Sequence, residues 1–192
     1  MPMQHTGYEF VIENLTEERT DLDLLCRVEC VGAAFKELGK TGTELTLSAE
    51  TVSLEEEKNN TTITPTANYW LDKVFPEPPA DSNRVFWRYE INIDNTFNMP
   101  SNKIYEKDFI TDWEVVNNAL NPIYASTPIE KARFIDVSNS NRYNITQDIA
   151  EAFQVFVTYK YIYGDDTQPF KITDKVVLFY ENALERTAYS IT

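Results

Sequence analysis

The sequence predicts a mainly β, α+β fold: an antiparallel sandwich- or barrel-like sheet with two to four short helices. Three observations lead there. Alternation of apolar and polar side chains is the commonest pattern in the chain. Helix signals are few and short, and strands do not alternate with helical stretches in a βαβ rhythm. The 192 residues are 42% apolar and 25% charged, which fits a globular protein and excludes a collagen, a disordered tail or a disulfide scaffold.

The elements follow in chain order. Residues 8–12 are a first strand candidate. Residues 21–31 alternate more clearly, with Leu22, Leu24, Cys26, Val28 and Cys30 on one face and Asp21, Asp23, Leu25, Arg27 and Glu29 on the other. That is the pattern of a half-buried strand, with both cysteines on its core side. Residues 44–54 are a further strand candidate, followed by a polar, acidic loop at 55–60 (Glu55, Glu56, Glu57, Lys58, Asn59, Asn60). Residues 67–75 supply two helical turns. A stiff, Pro-rich loop follows at 76–83. Residues 84–94 form the cleanest strand, with Val85, Trp87, Tyr89, Ile91 and Ile93 on one side.

The second half carries two capping boxes. Thr111-Asp112-Trp113-Glu114 has the Ser/Thr-x-x-Glu form and predicts a helix turning Trp113, Val116 and Leu120 inward, stopped by Pro122. Thr127-Pro128-Ile129-Glu130 is a second box, with proline at the first helical position. Residues 146–153 supply a further short helix. Residues 155–163 place Val155, Val157, Tyr159, Tyr161 and Tyr163 on one strand face. After a Gly164-Asp165-Asp166 turn, residues 170–180 repeat the pattern, and residues 188–191 are a last strand candidate. The pieces on either side of Pro76 are small, so a single β-rich domain over 1–192 is expected, with long loops near 55–60 and 76–83.

The chain has 17 Lys and Arg against 31 Asp and Glu, a net charge of −14. That argues against binding a phosphate backbone directly, which needs clustered cations. No run of about 18 apolar residues is present, so no membrane insertion is expected. The N-terminus lacks a basic stretch followed by an apolar one, so no secretory signal is expected, and synthesis in the cytoplasm follows. Cys26 and Cys30, four residues apart on one strand, would have Cα atoms about 13 Å apart, too far for a disulfide. Four Asn-x-Thr sequons, at Asn14, Asn59, Asn60 and Asn144, carry little weight without an export signal.

Catalytic and ligand motifs are mostly absent. His5 is the one histidine and sits near the N-terminus, which leaves no imidazole for Ser-His-Asp or Cys-His chemistry. Residues 34–41 (Ala34 to Thr41) resemble a relaxed phosphate loop, but Phe35, Lys36, Glu37 and Leu38 are bulky for a backbone nest. The following residues read as a strand, so a hairpin connection is the expectation. Asp94 to Met99 opens like a calcium loop, with Met99 where glycine is required and Tyr105 where glutamate is required. Asp165-Asp166 reads as a solvated turn, and Pro76-Glu77-Pro78-Pro79 as a rigid loop despite its PxxP spacing.

The aromatic surplus includes Trp70, Trp87 and Trp113. Most of it is expected in the core, with a strip such as Tyr159, Tyr161 and Tyr163 as an alternative stacking surface. No catalytic, metal-binding or cofactor-binding residue is assigned, and no cofactor. The expected function is therefore a non-enzymatic structural or assembly subunit. It would dock on protein partners or on itself in a larger complex, as small acidic β-rich chains do in virus and phage particles. The alternatives are an acidic decoy for a basic nucleic-acid-binding surface and a carbohydrate-binding β-sandwich.

Overall fold

The computed structural model describes residues 6–19, 24–40, 44–93, 100–106, 110–117, 119–124, 128–164, 167–168 and 170–181. In order they form β1 (Thr6–Gly7), β2 (Phe10–Arg19), β3 (Leu24–Gly32), α1 (Ala33–Leu38), β4 (Leu45–Leu47), α2 (Ala49–Asn59) and α3 (Ala67–Val74). There follow β5 (Trp87–Asn92), β6 (Ile110–Val116), β7 (Ala119–Tyr124), β8 (Val137–Ser140), α4 (Arg142–Phe153), β9 (Phe156–Tyr163) and β10 (Ile172–Tyr180). The fold is α+β and mostly antiparallel. Among the described residues the strands fall into four small sheets and close no barrel.

The main sheet has the order β1-β9-β10-β5, with β10 antiparallel to β9 and parallel to β5. Its register puts Val157 beside Phe179 and Ile91, and Tyr159 beside Val177 and Tyr89. The apolar faces read from residues 84–94 and 155–163 therefore coincide. That shared face meets α3 and α4. In α4, Ile145, Ile149 and Phe153 recur every fourth residue and are fully buried. In α3, Trp70, Leu71 and Val74, at positions i, i+1 and i+4, are fully buried as well. Side chains capping the first turns fix where these helices begin: Thr66 accepts from Tyr69 N, and Asn141 accepts from Asn144 N at 2.8 Å.

Several expectations are corrected. Residues 44–54 are a strand only over β4. Ser48 then caps α2, accepting from Thr51 N, while Asp136 accepts from Ala49 N at 3.0 Å. The helix runs on through the acidic stretch, so 55–60 is no loop. It ends at Asn60, whose φ of 50° is left-handed. The box at 111–114 starts no helix: β6 and β7 pair as an antiparallel hairpin, Trp113 opposite Pro122 and Val115 opposite Leu120. Asn117, at φ 53°, makes the turn. The box at 127–130 starts none either. Thr127 lies outside the described residues, and Glu130 bridges Tyr105 in extended conformation. Residues 34–38 of the phosphate-loop resemblance lie in α1, and β3 and β4 pair with different partners, so they make no hairpin. The loop at 76–83 carries neither helix nor strand, as expected. His5, residues 94–99, Asp165-Asp166 and residues 188–191 lie outside the described residues.

Candidate functional site

The outstanding feature is a pair of β-hairpins with open apolar faces. In the first, β2 and β3 pair over Phe10↔Gly32, Ile12↔Cys30, Leu15↔Val28 and Glu17↔Cys26. Side chains directly opposite one another share a face. Ile12 and Leu15 are three residues apart and would point to opposite faces of a regular strand. A bulge between Ile12 and Asn14 adds one residue and returns them to the same side. One face thus carries Phe10, Ile12, Leu15, Cys26, Val28 and Cys30. The other carries Asn14 opposite Glu29 and Thr16 opposite Arg27.

That apolar face is uncovered. Phe10, Ile12, Leu15 and Val28 are 48% to 64% exposed. Both cysteines are free thiols and exposed, which corrects their expected place in a core. The hairpin is tied to the body at its base, where Ala33 N donates to Glu9 O at 2.9 Å and Lys36 pairs with Glu13 at 3.1 Å.

The second hairpin repeats the design. Trp113 and Val115 of β6 share a face with Pro122 and Leu120 of β7, and Trp113, Val115 and Leu120 are 55% to 70% exposed. Its other face is mixed, with Asp112, Glu114 and Asn121 beside Val116, Ala119 and Ile123. Two-stranded ribbons are marginal in water on their own, and contiguous exposed apolar patches mark interaction sites.

No family model, curated protein or solved structure matches the chain.

A second feature is a cavity of about 520 Å³ whose lining includes Ile104, Glu106, Lys131, Glu151, Phe153 and Glu181. Lys131 is buried, and its Nζ donates to Phe153 O at 3.0 Å and to Gln154 Oε1 at 2.9 Å. These bonds place a cation on the last carbonyls of α4, where the helix dipole favours it. Glu106 is paired with Arg133 at 2.5 Å. Among the described residues, no three or more His, Cys, Asp or Glu side chains are grouped to hold a metal ion. No helix there is long and apolar enough to cross a membrane.

The aromatic candidates divide. Trp70 is fully buried and donates through Nε1 to Arg133 O at 2.8 Å. Trp87 donates to Glu37 at 2.9 Å and meets Tyr161 edge-on. Tyr161 is buried, and Tyr159 stacks on Tyr143. Burial pushes the hydroxyls of Tyr159 and Tyr161 upward in pKa. That strip offers no open stacking platform, whereas Trp113 stands on the exposed hairpin face. The sequence marked residues 8–12 as a strand candidate and 21–31 as a half-buried strand with its cysteines on the core side, and nothing in it said that this side would be open. The signal for the second hairpin was the Asn117-Asn118 pair between β-branched residues and Leu120.

Proposed function

We propose that the chain is a non-enzymatic structural subunit that docks into a larger assembly through its two β-hairpins. One observation carries this reading: each hairpin has a face made almost wholly of apolar side chains, and that face is exposed. Such a pattern gains stability only when the apolar face leaves water, at roughly 25 cal/mol per Å² buried. The body of the protein has a complete core without either face. The hairpins are thus surplus to the fold and suited to contact.

The reading is tested by fractionating lysate of the source by size. The wild-type chain is expected in high-mass fractions, and Leu15→Lys and Leu120→Lys variants near the chain's own 22.2 kDa. Thr16→Lys, on the polar face, should follow the wild type. A wild-type chain that runs only at its own mass would overturn the reading. The acidic-decoy alternative gains little, because the Glu55–Glu57 run lies on α2 with Glu55 engaged by Lys73 and Tyr69.

A further inference from the structure

We draw no further inference here: the strongest candidate, the cavity of about 520 Å³ between the end of α4 and the start of β9, carries nothing, because its buried cation, Lys131, is already held by Phe153 O and Gln154 Oε1 and the carboxylates around it point to no ligand.

Discussion

Trp70 shows how much one residue can hold. It is fully buried, meets Tyr69 edge-on at 4.9 Å and satisfies the carbonyl of Arg133 through its indole N–H. Trp70→Ala should cost about 3–5 kcal/mol in urea unfolding, and Trp70→Phe about 1–3 kcal/mol, because the latter mainly strands the Arg133 carbonyl. Glu55 is a second such residue. Its hydrogen bond from Lys73 holds its carboxyl below the ordinary 4.5, against a smaller upward push from burial, with Tyr69 also donating. A lowered pKa in the folded state means that the ionised form is the stabilising one. The contribution is then full above the unfolded value near 4.5 and is lost as pH falls through the lower folded value. Melting temperature measured from pH 6 down to pH 3 should therefore fall more steeply for the wild type than for Glu55→Gln. Equal slopes would show that the Glu55–Lys73 link adds nothing. The sequence offered Glu55 only as part of a solvated acidic run. Its partners lie on α3, and that contact exists only once α2 and α3 have packed.

At the scale of elements, sequence pattern succeeded where a single period ruled. The alternation of Trp87, Tyr89 and Ile91 and of Val157, Tyr159 and Tyr161 predicts strands that form, and the short helix expected over 146–153 forms as the longer Arg142–Phe153. It failed where two local signals competed. Thr111-x-x-Glu114 has the form of a helix start, but Val115, Val116 and the Asn117-Asn118 pair favour a hairpin, and the hairpin is what forms. Likewise Leu45, Leu47, Thr51 and Val52 mimic a strand, while Ser48, with its side chain on Thr51 N, turns the chain into α2. The exposed hairpin faces were invisible for another reason: alternation reports that a face is meant to be covered, not what covers it. Asn117 tests the turn. A β-branched residue is strained at φ 53°, so Asn117→Val should loosen β6–β7 and speed amide exchange at Glu114 and Asn121, leaving α4 unchanged. Asn141→Ala should act elsewhere, removing the cap of α4 and about 1 kcal/mol of global stability, read by urea midpoint.

At the scale of the whole molecule, charge and apolar surface pull in opposite directions. Each chain carries a net −14, so two copies repel over any distance at which their fields are unscreened. Raising ionic strength from about 0.01 M to about 0.15 M shortens the screening length from about 30 Å to about 8 Å. Repulsion between whole chains is spread over tens of ångströms and is largely removed by that change. Contact between apolar faces does not depend on charge and is kept. Docking through the hairpin faces should therefore survive that rise in salt, read as retention of the wild type in the high-mass lysate fractions. An acidic decoy on a basic surface has the opposite sign, since its attraction is what salt screens. Lys substitutions on the opposite hairpin faces, such as Thr16→Lys with Asn121→Lys, lower the net negative charge while leaving the faces of Leu15 and Leu120 intact. The double variant should stay in the high-mass fractions at both ionic strengths. A double variant that leaves those fractions would mean that the faces carrying Thr16 and Asn121 also make contact in the assembly.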